Sequence, residues 1–560
     1  MPKPESTKKT QLNRRQALLW PAAGLGAAMA IPGEASDSIK TAAHQEPGGC
    51  ATPRSAVAKT QYGKVRGYVD GGVLTFKGIP YGATTAGENR WLPAKAPKWD
   101  GEYPALIYGA NCPQRLHDWT AIEQTFLQDW DDGYMSEDML KLNVWTPALT
   151  GKRPVMVYFH GGGFVFGSSY ELPSHEGAQL ARHHDAVSVS VNHRLNVLGF
   201  LDLTEIGGSA YEDAVNCSMM DLVASLKWVK ENIANFGGDP DKVMIYGQSG
   251  GGSKVTTLMG MQSAAGLFHR ASVQSGGGGN FQGGEMARET ARQLMKELKL
   301  GPKDLAGLQK VDWTTLNAAS TAAAAKVNPT PANAGGPGGP PTSTPRAGIG
   351  PCVDGRIITV RSFFDVAPEL SKNIPMLIGN VSEEGNRMNS RPTEAQWKET
   401  LSRTYGESKA TALIAAMKKA HPEKSIRTLS YGVNGLTSRN NVQRMVKLKY
   451  EQKGAPVYQY FFTWQSPMLE DAGAWHTAEL AFCFDNTKRC EQGTGNTPEA
   501  QALAKKMATA WVNFARTGNP SQQGLTWTPS DSTKCQTIVF DNRCRMVDDP
   551  EGEVRRILLG

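Results

Sequence analysis

Five short apolar runs separated by helical stretches constrain this chain more than any other feature. Pro154–Phe159, Ala186–Val191, Val243–Tyr246, Ile374–Gly379 and Pro456–Phe462 have the length and composition of buried strands. Between the second and third lies a helix. Leu222, Leu226, Val229 and Ile233 step by four, three and four, which places them on one face. Gly237-Gly238-Asp239-Pro240 ends that helix and begins a turn. Such alternation predicts an α/β fold, with a largely parallel sheet covered by helices on both faces. Ahead of it, residues 60–82 alternate apolar and polar side chains around Gly63, Gly67 and Gly71-Gly72, the pattern of antiparallel hairpin strands.

The chain has 560 residues, and at roughly 100–200 residues per domain length alone would allow several domains. The β runs and the chemistry described below are instead spread from about residue 60 to 550. We therefore expect one domain over residues 56–560 with large insertions. Residues 328–345, NPTPANAGGPGGPPTSTP, read as a low-complexity flexible loop. Hydrophobic residues at 40% and charged residues at 20% are enough for a large core. The formal charge of +7 is concentrated at the start. Residues 1–30 contain Lys3, Lys8, Lys9, Arg14 and Arg15 against Glu5, a net of +4, which leaves +3 for the rest. So small a charge gives no reason to expect a nucleic-acid partner. No stretch reaches the ~18 apolar residues of a membrane span, so no membrane anchor is expected.

The first thirty residues read as an address. Basic residues lead into an apolar run, Ala17–Ala30, that closes on Ala28-Met29-Ala30, an A-x-A cleavage pattern. The adjacent Arg14-Arg15 resembles a twin-arginine export signal. Residues 31–55 then form a flexible mature N-terminus, and the protein is expected outside the cytoplasm, periplasmic or secreted. Export places the eight cysteines where disulfides persist. N-terminal sequencing of exported material is expected to begin near Ile31; active exported protein that retains Met1 would refute the signal.

The chemistry centres on Gly247-Gln248-Ser249-Gly250-Gly251, a G-x-S-x-G pattern after the run Val243–Tyr246 and before a helical pattern, Lys254–Met259. A serine on a sharp strand-to-helix turn is an exposed nucleophile, and the flanking glycines give it room. His160-Gly161-Gly162-Gly163-Phe164 follows the run Pro154–Phe159 and resembles an oxyanion loop, whose backbone N–H groups face a developing negative charge. Gly250, next after the serine, is the third expected donor. In this arrangement an acid and then a histidine follow the serine in the chain. Glu383-Glu384 follows the run Ile374–Gly379, and the residues alone do not choose between the two. His476, in a loop entering an apolar segment, is the expected base; His421, in Lys418-Lys419-Ala420-His421-Pro422, reads as a solvated helix end.

Taken together, these blocks resemble the type-B carboxylesterases, the family that includes cholinesterases and bacterial p-nitrobenzyl esterases. The resemblance runs from about Thr60 to Pro550. It includes Phe76–Tyr81 (FKGIPY), Ser136–Trp145 (SEDMLKLNVW), Val191–Leu195 (VNHRL), Trp228–Pro240 (WVKENIANFGGDP) and Trp511–Pro520 (WVNFARTGNP). It implies an α/β-hydrolase fold whose loop insertions form a gorge, with the site at its base. It implies a serine carboxylesterase acting on small-molecule esters through a Ser249–Glu384–His476 triad. Gly162, Gly163 and Gly250 are then the oxyanion donors, and no metal or organic cofactor is required. Ser275 matches a family serine that hydrogen-bonds near the acid and histidine, although it also reads as a plain turn serine. The chain is expected to be a monomer or a homodimer.

Three departures matter. Gln248 stands where the family usually has a glutamate beside the nucleophile, a carboxylate that helps attract cationic substrates in cholinesterases, so choline esters are disfavoured. Met139 replaces the family's disulfide cysteine, leaving Cys112 free or paired elsewhere. Trp130 lies near the choline-binding tryptophan of cholinesterases but slips by one residue, so that role is not transferred. An amidase or acyltransferase on the same scaffold, or a non-catalytic binding protein of cholinesterase type, is the alternative function. In the binding proteins a triad position is typically lost, whereas all three are filled here.

Overall fold

The computed structural model describes residues 56–115, 123–278, 281–328, 350–384 and 391–559. The expected signal, the mature N-terminus to residue 55 and most of the loop 328–345 lie outside those residues.

An eleven-stranded sheet organises the molecule. From one edge to the other its strands are Arg545–Asp548, Gln536–Phe540, Val457–Phe462, Met376–Val381, Arg270–Gln274, Gly238–Gln248, Arg153–Phe159, Val187–Val191, Lys141–Thr146, Val73–Pro80 and Tyr68–Asp70. The seven from Gln536–Phe540 to Val187–Val191 pair in parallel. The outer pairings are antiparallel. The expected hairpins appear at the start of the described chain: Val57–Thr60 pairs with Gly63–Arg66, and Tyr68–Asp70 with Val73–Pro80.

The central strands are mostly apolar on both sides because both faces of the sheet are covered. Val155, Val157 and Phe159 join one core with Val243, Ile245 and the helix residues Leu222, Leu226 and Val229. The intervening Met156, Tyr158, Met244 and Tyr246 join a second core with Leu503, Met507 and Trp511 of the helix Pro498–Thr517. Successive strand side chains point to opposite faces, so each strand contributes to both cores.

Two boundaries differ from the sequence reading. The helix Cys217–Asn232 continues as a 3-10 turn, Ile233–Phe236, and stops at Gly237 with φ +75°. The segment after it, expected as a turn, is already strand Gly238–Gln248. A register shift between Arg153 and Val155 accommodates Asp239-Pro240 there. The helix after the serine starts at Gly250, not Lys254. Glycine lowers helix propensity, so tertiary packing sets that start.

The expected disulfides are corrected for the described cysteines. Cys112, Cys217, Cys352, Cys483, Cys490, Cys535 and Cys544 are all free thiols, the first five buried, and Cys50 lies outside the described residues. The buried five act as small core side chains. Cys112 Sγ accepts the Leu195 N–H at 3.2 Å. No helix among the described residues is long and apolar enough to cross a membrane.

Candidate active site

The expected site residues lie at or beyond the C-terminal ends of parallel strands, where open α/β sheets gather their ligand-binding loops. Ser249 comes directly after Gly238–Gln248 and caps the helix Gly250–Leu258 with φ 56° and ψ −121°. That conformation is costly for a residue with a Cβ and persists only where its surroundings enforce it. Here the Ser249 N–H donates to the Gln274 carbonyl at 2.8 Å, and its carbonyl accepts the Ser253 N–H at 3.2 Å.

The loop after Arg153–Phe159 lies against this turn. A Cβ at Gly250 would stand 2.4 Å from the Gly163 nitrogen, so only glycine permits the approach. Gly162 and Gly163 hold φ of +74° and +64°. A Cβ at Gly162 would meet the Phe166 carbonyl at 2.1 Å, whereas nothing lies within 4 Å of one at Gly163.

Glu384 and His476, 92 residues apart in sequence, are joined by a direct hydrogen bond from His476 Nδ1 to Glu384 Oε2, both side chains buried. The other carboxylate oxygen of Glu384 accepts from the Val381 N–H and the Ser438 hydroxyl, each at 3.4 Å. Burial lowers the pKa of His476, but the Glu384 carboxylate outweighs it, and the net direction is upward from 6.5. Among the described residues the Ser249 hydroxyl makes no hydrogen bond to His476. The Gln248 amide nitrogen lies 3.3 Å from Nε2 and 3.4 Å from Nδ1 of that ring. Near-equal distances to both nitrogens place the amide over the ring, not along either lone pair.

Glu383 turns away from the imidazole. It pairs with Lys424 at 2.7 Å and accepts the Ala474 N–H at 2.7 Å, while its own N–H donates to the Ala474 carbonyl at 3.1 Å. It thus ties the acid loop to the histidine loop two residues before His476. The short helix Glu123–Gln128 braces the same loop: Gln124 donates to the His476 carbonyl at 3.1 Å and Gln128 to the Thr477 hydroxyl at 2.6 Å. Thr477 has φ 83°, an unfavourable conformation for a β-branched residue, right beside the histidine.

His421 makes no hydrogen bond to Glu384 among the described residues, and its Nε2 lies 2.9 Å from Glu551. The Ser275 hydroxyl is buried without a hydrogen-bond partner among the described residues, so its expected bond near the acid and histidine is not formed there. Trp130 donates to Asp132 at 2.8 Å.

Sequence reasoning missed two buried ionisable groups. Glu479, three residues beyond His476, is pushed up to about 7 by burial and by the nearby Glu384 charge. A neutral acid there avoids a second negative charge beside the pair. Lys254, on the helix that starts at the serine turn, is fully buried and donates to the His160 carbonyl at 2.8 Å and the Gly161 carbonyl at 3.3 Å. Burial pushes its ammonium down to about 7, with Glu171 opposing. An acid or a lysine inside an apolar pattern was the only signal. No cluster of three or more His, Cys, Asp or Glu side chains among the described residues is arranged to hold a metal.

The Carboxylesterase family model matches residues 54–553, so the chain belongs to the carboxylesterase family and is a carboxylic ester hydrolase. It is similar to the para-nitrobenzyl esterase of Bacillus subtilis (strain 168), with 31% identity over 509 residues, covering 90% of this chain and 98% of that protein. The phenmedipham hydrolase of Pseudarthrobacter oxydans is 30% identical, covering 84% and 91%. Among solved structures, an esterase of Clostridium hathewayi described as hydrolysing aliphatic aromatic polyesters superposes with a TM-score of 0.76 at 32% identity, over 91% of this chain and 99% of that one. The α/β-hydrolase fold is thereby shared with solved esterases.

Proposed function

We propose that the chain cleaves neutral carboxylic esters by two-step acyl transfer. The observation that carries this reading is the buried Glu384–His476 pair, whose imidazole meets Gln248, the residue before a serine held in strained turn geometry. His476 takes the Ser249 proton as the hydroxyl oxygen attacks the ester carbonyl. Glu384 fixes the imidazole tautomer and stabilises the imidazolium. The N–H groups of Gly162, Gly163 and Gly250 receive the oxyanion. His476 then protonates the leaving alcohol, and water, deprotonated by the same imidazole, releases the acid. The hydroxyl and the imidazole close to hydrogen-bonding distance with substrate present, as resting active sites commonly require. A panel of esters graded in acyl and alcohol size, with Ser249→Ala as the blank, tests the reading. Hydrolysis at wild-type rates by that variant would reject it.

Gln248 supports the choice of neutral substrates. It is neutral and lies against His476, and the two are only 1% and 6% exposed. Neutral esters are therefore expected to be preferred over choline esters of equal acyl size. Gln248→Glu would place a carboxylate against the imidazole and favour its charged form. His476 must be neutral to act as base, so the acidic limb of kcat/KM is expected to move up by about one unit or more, because a charge at a buried site is weakly screened. Profiles of both proteins on one neutral ester check this; an unmoved limb contradicts it. For the N-terminal segment we retain export, periplasmic or secreted, as a proposal.

A further inference from the structure

The catalytic reading above gives no task to Lys254. A buried charge is expensive unless it is paired and hydrogen-bonded. Among the described residues Lys254 has no carboxylate in ion-pair contact. Its nitrogen instead meets two backbone carbonyls, 2.8 Å from His160 and 3.3 Å from Gly161, with the Phe164 ring centroid at 5.8 Å.

The identity of those carbonyls is informative. A carbonyl and the following N–H belong to one rigid peptide plane. The Gly161 carbonyl is therefore the far end of the peptide that presents the Gly162 N–H. The other two expected oxyanion donors can be traced in the same way. The Gly163 N–H shares its plane with the Gly162 carbonyl, which accepts from the Val165 and Phe166 N–H groups, both at 3.2 Å. The Gly250 N–H shares its plane with the Ser249 carbonyl, which accepts from the Ser253 N–H at 3.2 Å. All three donor peptides are thus anchored from behind, one of them by the Lys254 amine. His160 Nδ1 also lies 3.1 Å from the Gly161 oxygen, but burial, foremost, and the Lys254 charge push that histidine well below 6.5, so the imidazole is neutral.

We propose that Lys254 is a positioning residue for the oxyanion hole. It fixes the Gly161–Gly162 peptide against the nucleophile's own helix and strengthens the Gly162 N–H as a donor. A hydrogen bond accepted at the carbonyl polarises the same peptide's N–H, and the effect is greater in a low-dielectric site and with a charged donor. The benefit grows as negative charge develops on the substrate oxygen, so it acts on the transition state more than on the bound ester. Lys254 leaves the helix Gly250–Leu258 five residues after Ser249, so one rigid element sets both the serine and the peptide that receives the charge. The proposal rests on the assignment of Gly162 as an oxyanion donor.

The test uses the full chain with Lys254→Met and Lys254→Gln. Lys254→Met is expected to lower kcat about 10- to 100-fold with KM changed less than about threefold, below the loss from deleting a donor outright. A trifluoromethyl ketone analogue, which forms an anionic tetrahedral adduct with the serine, should lose affinity by the same factor as kcat. A non-reactive amide analogue of the ester should bind unchanged. Lys254→Gln keeps a neutral donor and should fall between wild type and Met; if the Met variant does not fold, Gln decides by the same comparison. A kcat within twofold of wild type overturns the proposal, as does equal loss of ketone and amide binding. A phosphonate label separates the two readings. Failure to label Ser249 in the wild type defeats the catalytic assignment, while normal labelling with unchanged kcat in the variants defeats only the role of Lys254.

Discussion

Ser249→Ala is expected to lower kcat/KM for every ester the wild type hydrolyses by on the order of 10⁴-fold or more. No other hydroxyl is held on the strained turn between strand Gly238–Gln248 and helix Gly250–Leu258, with Gly163 packed against the residue that follows. Any residual rate would come from binding and the oxyanion donors, which the substitution leaves in place. A phosphonate or sulfonyl fluoride should modify Ser249 stoichiometrically in the wild type and leave the variant unmodified. Activity retained in Ser249→Ala, with label on a different serine, would refute the assignment.

The second large effect separates two neighbouring acids. Glu384→Ala is expected to cost about 10³- to 10⁴-fold in kcat, because the imidazole loses the partner that fixes its tautomer and stabilises its charge. Glu383→Ala should cost far less per correctly folded site, since its carboxylate faces Lys424 and Ala474 and not His476. Its penalty should appear in stability. Removing one member of a buried pair strands the other, at about 3 kcal/mol or less here because Lys424 keeps some contact with water. Burial alone would raise the Glu383 pKa, but Lys424 brings it below 4.5. A depressed carboxylate contributes stability above the ordinary carboxylate range, which is lost as pH falls through the depressed value. The wild-type melting temperature should therefore drop in acid more steeply than that of Glu383→Gln. Activity normalised to phosphonate-titrated sites, together with melting curves, separates the two roles. Equal normalised losses in Glu383→Ala and Glu384→Ala would defeat the assignment of Glu384.

The strands were legible because a strand buried on both faces is a short run of mostly apolar and small residues. Val187–Val191, Met376–Val381 and Val457–Phe462 begin within two residues of their expected starts. The strand before the serine was read several residues too short, because Gly238-Asp239-Pro240 carries turn chemistry that pairing with the neighbouring strand overrides. Three glycines concealed the first turn of the following helix for a similar reason. Local preference amounts to tenths of a kcal/mol up to about 1 per residue, and packing readily exceeds it. The cysteine expectation failed on the described residues because compartment says only whether a disulfide can persist. Pairing requires two sulfurs brought together by the fold.

The sequence by itself determined the class of chemistry and the order of its parts. A serine between glycines at the end of an apolar run, a glycine loop earlier and an acid and histidine later are local patterns, and local patterns survive in one dimension. The residues alone left open which carboxylate meets the imidazole; the family resemblance implied Glu384, and the tertiary structure supplied the physical reason. Glu383 and Glu384 are chemically identical neighbours, and the loop path sends one to Lys424 and the other to His476. Only the tertiary structure decided that Gln124, Gln128 and Glu383 brace the histidine loop, and that Lys254 lies behind the glycine loop. Those contacts join residues from 41 to 352 positions apart. Hydrogen bonding and electrostatics act over a few ångströms of space, so no spacing along the chain records them.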